Sequence, residues 1–160
     1  RRTLIIIMAN TYTQLYIQYI FAVQDRQCLI KDDWKTDLYK YMAGIIEQQG
    51  HKLYRINGMP DHVHIFVSMS PNQSPSDLMY HVKRSSSLWI NKNHLVTGRF
   101  TWQEGFGAFT YGKSQISNLI KYIDEQEIHH RGMNFIDEYK GYLKEYEIDY
   151  DERFVFKSIY

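Results

Sequence analysis

Apolar residues recur along the chain with two different periods, and the switches between them mark out its elements. Tyr12–Val23 is a dense run of β-branched and aromatic residues, which predicts a strand. Trp34, Leu38, Tyr41, Met42 and Ile45 then return at three- and four-residue intervals, the spacing of one helix face. Asp32 or Asp33 is placed to cap that helix and Gly50 to stop it. Leu53–Gly58 and His62–Met69 are extended again, and Gly58-Met59-Pro60-Asp61 has turn composition, so Leu53–Met69 reads as a hairpin. After the loop Pro71–Pro75, Ser74 is a natural N-cap with Pro75 in the first helical position. Leu78, Val82, Ser85 and Trp89 then form the inner face of a second helix. Phe100–Gln103 and Ala108–Tyr111 are short extended pieces around Gly105 and Gly107. A third helix, capped by Ser114, carries Ile116, Leu119, Ile120 and Ile123; a last one, capped by Asn134, carries Phe135, Tyr139, Tyr142, Leu143 and Tyr146. The tail Phe154–Phe156 is apolar enough to dock.

The order is strand, helix, hairpin, helix, strand, helix and a C-terminal addition. This predicts an α+β fold: a ferredoxin-like antiparallel sheet with helices on one face, plus a C-terminal helical extension. The 160 residues suffice for one core, and no repeat, low-complexity stretch or long linker divides them. Met8 looks like a natural start, so the expected organisation is one domain over 8–160, with 1–7 a leader or an addition. The apolar run Leu4–Ile7 is far too short to span a bilayer. The single Cys28 cannot form an intramolecular disulfide and fits a reducing compartment.

Net charge is +1, which by itself says nothing in favour of nucleic acid. Its distribution changes the picture. Between Leu78 and Tyr122 the basic residues are Lys83, Arg84, Lys92, Arg99, Lys113 and Lys121, and the only acid is Glu104; from Asp124 to Glu152 acids dominate. The basic segment is either a local phosphate-binding face or a chance cluster on solvated helices.

Two short patterns carry candidate chemistry. In Asp61-His62-Val63-His64-Ile65-Phe66-Val67, strand alternation sends Val63, Ile65 and Val67 to the core and His62 and His64 together to the other face. Two such imidazoles can hold one divalent ion; two histidines on a solvated sheet face give the same pattern. In Tyr122-Ile123-Asp124-Glu125-Gln126, the i, i+4 relation puts a hydroxyl and an amide on one flank of the Ile116/Ile120/Ile123 stripe. Alone, that pair reads as a boundary tyrosine with an exposed glutamine.

Together these patterns bring a resemblance over roughly 12–156. The chain resembles the single-tyrosine HUH transposases of the smallest bacterial insertion sequences. The resemblance rests on Tyr12-Thr13-Gln14-Leu15-Tyr16, on Gly58-Met59-Pro60-Asp61-His62-Val63-His64, and on Lys83-Arg84-Ser85-Ser86-Ser87 with Trp89-Ile90-Asn91. It continues through Trp102-Gln103-Glu104-Gly105-Phe106-Gly107-Ala108-Phe109 and Tyr122-Ile123 with Gln126, His129 and His130. It implies that His62, His64 and Gln126 hold a metal and that Tyr122 is the nucleophile, forming a 5′-phosphotyrosine bond that permits religation to another strand. The implied ion is Mg²⁺ or Mn²⁺: nitrogen ligands favour Mn²⁺ in affinity and availability favours Mg²⁺.

The implied substrate is single-stranded DNA with hairpin ends, with Lys83 and Arg84 as phosphate contacts. The implied assembly is a homodimer whose active sites are shared, Tyr122 of one subunit meeting the histidines of the other, with Gly105–Gly112 as the crossing hinge. A bacterial cytoplasmic protein acting at the nucleoid is expected. His129 and His130 read as a helix end, where cationic side chains are favoured, and the acidic stretch Asp124 to Glu152 as structural or interfacial. Two other readings stay open: a host-domesticated relative that processes repeat hairpins with the same residues, and a non-catalytic single-stranded nucleic-acid-binding module on the same sheet.

Overall fold

The computed structural model describes residues 11–130, 132–151 and Val155. Stretch 1–7, expected as a leader, lies outside the described residues, as do Phe154 and Phe156 of the tail. Four strands form one antiparallel sheet in the order β2-β3-β1-β4: β1 Tyr16–Ala22, β2 Lys52–Met59, β3 His62–Ser68 and β4 Gly107–Tyr111. The β2–β3 turn is tight. A Cβ on Gly58 would collide with the His62 carbonyl oxygen and meet the Val63 Cα at 3.0 Å, so only glycine fits there.

Strand alternation sorts the side chains. Ile17, Tyr19 and Phe21 of β1 join Val63, Ile65 and Val67 of β3 on one face, where α1 (Asp32–Gln48) and α2 (Pro75–Lys92) cover them. Trp34, Leu38, Met42 and Ile46 are the buried stripe of α1. The helix ends where the sequence predicts: Gly50 takes φ 93°, its N–H reaches the Glu47 carbonyl, and the His51 N–H reaches that of Ile46. Helix α2 begins as predicted, with the Ser74 hydroxyl accepting from the Asp77 N–H at 3.0 Å and Pro75 next. Its inner face is turned slightly from the predicted one. Ser86 and Ile90 are buried, while Ser85 and Trp89 are half-buried. Ser86 belongs inside because its hydroxyl accepts the Trp102 indole N–H at 2.9 Å.

The ferredoxin-like sheet with α1 and α2 on one face is therefore the fold this chain adopts, and the C-terminal extension closes over the opposite face. That extension comprises α3 (Ile116–Asp124), the single turn α4 (Gln126–His129) and α5 (Phe135–Glu145). Ile20, Ala22 and Phe109 of the sheet pack there with Phe135, Tyr139, Leu143 and Val155; Phe66 packs with Leu119 and Ile123.

Two departures from the sequence prediction bear on the site. A 3₁₀ turn, Lys113–Gln115, precedes α3, because the Gly112 N–H donates to the Gln115 side chain at 2.8 Å and Ser114 caps nothing. The helix predicted to run through Gln126 stops at Glu125 (φ −102°, ψ 28°), where Asn57 of β2 donates to the Ile123 carbonyl at 2.8 Å. Most of the Gly105–Gly112 stretch expected as a hinge is β4, hydrogen-bonded to β1.

Candidate active site

His62 and His64 share the sheet face away from α1 and α2, as alternation requires, and the C-terminal helices bury both completely. Each ring is held from behind. His62 Nδ1 lies 2.7 Å from a carboxylate oxygen of Asp61, which Arg26 grips in turn at 3.1 Å. His64 Nδ1 lies 2.7 Å from the amide oxygen of Gln18, whose amide nitrogen donates to the Tyr111 hydroxyl at 2.6 Å. Both oxygens only accept, so both Nδ1 atoms carry a hydrogen and both rings turn Nε2 toward the interior. Burial above all pushes the His62 pKa below the ordinary imidazole range, which the Asp61 hydrogen bond only partly offsets. Burial also opposes the charge on Asp61, but the His62 hydrogen bond and Arg26 more than compensate, so its carboxyl stays below the usual range.

Three further side chains meet these Nε2 atoms. Gln126 is fully buried, with its Oε1 3.3 Å from His62 Nε2 and its Nε2 without a partner. Either end of this amide is within reach of the His62 lone pair, and its oxygen is the end able to serve a cation. Glu138 of α5, 4% exposed, places Oε1 3.2 Å from His64 Nε2, 3.2 Å from His130 Nε2 and 3.8 Å from His62 Nε2. Its other oxygen accepts the Tyr122 hydroxyl. His62, His64, His130 and Glu138 thus form a group whose ligand atoms all lie within 4.8 Å of one another, a set able to hold a divalent ion.

Tyr122 is half-buried, its ring stacked on His129 at 4.2 Å and 6.4 Å from that of His64. Burial first, then the hydrogen bond to Glu138, pushes its phenol well above the ordinary tyrosine range, so it carries its proton. Glu138 is held far below the usual carboxylate range: burial acts against its charge, but His130, His64 and Tyr122 outweigh it. Beside this pair a cleft of about 450 Å³ opens between α3 and α5, lined among others by Gln115, Asn118 and Tyr142.

The structure brings Tyr122, His62, His64 and Gln126 together within one chain. It does not bring Lys83 and Arg84 to them, because α2 lies across the sheet. Lys83 Nζ donates to the carbonyls of Gln103 and Gly105 at 2.8 and 2.7 Å, whereas Arg84 is exposed. Trp102 is a core residue, buried between Phe21 and Phe100.

Four participants escaped the sequence reading. His130 does close a helical turn, as expected, but its ring also enters the cluster. Glu138 falls within the acidic stretch read as structural, yet it occupies the inner stripe of α5 between Phe135 and Tyr139, where an unpaired carboxylate is costly. Gln18 is the one amide in a strand buried on both faces. Asp61 read only as a turn residue.

The fold and this polar cluster belong to a chain of the transposase class. Residues 11–126 match the family described as "Transposase IS200 like", and the chain belongs to that family. The chain is 24% identical over 118 residues to the ISDra2 transposase TnpA of Deinococcus radiodurans, covering 71% of this chain and 84% of that one. Its fold is shared with a crystal structure of a protein from Deinococcus radiodurans R1 assigned as a transposase (TM-score 0.61, 22% identity, 74% of this chain and 95% of that one). A REP-associated tyrosine transposase bound to a REP hairpin shares it too (TM-score 0.58, 11% identity, 76% and 72%).

Proposed function

We propose that this transposase cleaves and rejoins single-stranded DNA, with Tyr122 as covalent nucleophile and a divalent ion held by His62, His64 and Gln126. The observation that carries the reading is the contact between the Tyr122 hydroxyl and Glu138, whose second oxygen faces the paired histidines. A phenol that keeps its proton at neutral pH needs an acceptor when it attacks, and Glu138 is already in contact with it. The Tyr122 oxygen forms a bond to phosphorus and the P–O3′ bond breaks. The phenol proton passes to Glu138, and the departing 3′ oxygen takes a proton from water. In the reverse direction the 3′ hydroxyl of another strand attacks, and the tyrosine oxygen leaves and recovers its proton.

The buried lone pairs of His62 and His64, opposed to the Gln126 oxygen, fit an Mg²⁺ or Mn²⁺ ion, which when bound neutralises a phosphate oxygen as a Lewis acid. The substrate is single-stranded DNA with hairpin ends, consistent with the REP hairpin on the structural neighbour. Arg84, exposed on α2, is the phosphate contact rather than Lys83. The convergence of phenol and histidines within one chain supports a homodimer in which each subunit completes its own site. With Mn²⁺ and single-stranded flanks of its own gene, the protein is expected to form an adduct that survives denaturing electrophoresis. Tyr122→Phe abolishes that adduct while DNA binding persists. A wild-type protein that binds the DNA but forms no adduct is a binding module instead.

A further inference from the structure

We infer that the C-terminal segment supplies two further ligands, His130 Nε2 and Glu138 Oε1, to the ion held by His62 and His64, so that the ion fastens α5 to the sheet. This deepens the function proposed above and rests on it. Both residues lie beyond 126, where the match to the family ends.

Geometry favours an ion over protons. Glu138 Oε1 is 3.2 Å from His64 Nε2, 3.2 Å from His130 Nε2 and 3.8 Å from His62 Nε2. These approaches are short enough for the four donors, all within 4.8 Å of one another, to face one ion. The tautomers agree: His64, donating through Nδ1 to Gln18, has no hydrogen on Nε2 to offer the carboxylate when neutral. One divalent ion satisfies every approach at once.

Two consequences follow. A third imidazole and a carboxylate added to His62, His64 and Gln126 favour Mn²⁺, and Zn²⁺ more strongly, over Mg²⁺. Because Glu138 sits in the first turns of α5 and His130 just before it, binding the ion also secures that helix.

The test is calorimetric titration of the full chain with MnCl₂, for wild type, His130→Ala and Glu138→Gln, together with hydrogen exchange of the α5 amides in the unaltered chain with and without Mn²⁺. Each variant is expected to lose affinity by about 10-fold or more, and Mn²⁺ is expected to slow exchange across 135–145 in wild type. The exchange measurement stands even if a variant fails to fold. The inference is overturned if both variants fold and bind Mn²⁺ as wild type does, or if α5 exchanges at the same rate with saturating Mn²⁺. Retention of the covalent DNA adduct in His130→Ala, with Mn²⁺ affinity unchanged in both variants, removes this inference and leaves the proposed function standing. Absence of Mn²⁺ binding and of any adduct in wild type removes both.

Discussion

At the scale of single residues, the direction in which each imidazole points decides what the site can do. Asp61 and Gln18 both accept from Nδ1, so both rings offer Nε2 inward. Gln18→Leu removes one of these acceptors without changing the strand's apolar character. It is expected to weaken Mn²⁺ binding about 10- to 100-fold, read by calorimetry. The histidine pair was legible in the sequence, because alternation on a strand fixes the face of every second residue. Glu138 was not: a carboxylate in an acidic, helical stretch looks solvated until its partners, drawn from three other elements, are known. The same holds for Lys83, which looked free and is clamped by two carbonyls with Phe21 beneath it. Burial lowers its pKa to about 8. The unfolded chain, with lysine near about 10.4, binds the proton more strongly than the folded one between those values. Lys83 thus penalises the fold fully below pH 8, and the penalty fades as pH rises through that window. Chemical denaturation from pH 7 to 10 should show wild type gaining stability relative to Lys83→Met.

At the scale of elements, the catalytic geometry depends on α3 and α5 meeting over the histidine face. Helix periodicity predicted both helices, and Asn134 caps α5 as expected, its side chain accepting from the Asp137 N–H at 2.9 Å. The break at Glu125 was not legible, because it answers to Asn57 on a distant strand. It gives Gln126 its own short turn, so the amide reaches His62 without sharing the α3 axis. Helix α5 sits close on the edge strand: a Cβ on Gly107 would lie 2.7 Å from the Tyr139 ring. Gly107→Ala is therefore expected to displace Tyr139 and cost about 1–3 kcal/mol, measured by urea unfolding, with hydrogen exchange rising in 135–145. Removing the α2 cap by Ser74→Ala, on the opposite face, should cost about 0.5–2 kcal/mol and leave exchange in α5 unchanged.

At the scale of the whole molecule, the two sheet faces divide the work. One is an apolar seat for α1 and α2; the other is a polar cluster roofed by α3–α5. The order of elements in the sequence sufficed for the sheet and the first face. The second face was less legible, since its roof meets the histidines across 64 and 74 residues of chain, in the Gln126–His62 and Glu138–His64 contacts. The convergence of Tyr122 and the histidines inside one chain makes a sharp assembly prediction. Mixing Tyr122→Phe with His64→Ala should restore no adduct if each subunit completes its own site, whereas restored adduct on mixing would reveal exchange of α3 between subunits. The most direct measurement is peptide mass mapping of the protein–DNA adduct formed with Mn²⁺ on single-stranded element ends. Expected is a nucleotide joined through its 5′ phosphate to Tyr122 and to no other of the 14 tyrosines. A DNA-bearing peptide that excludes Tyr122, or strand cleavage that leaves no protein-linked phosphate, would contradict the assignment.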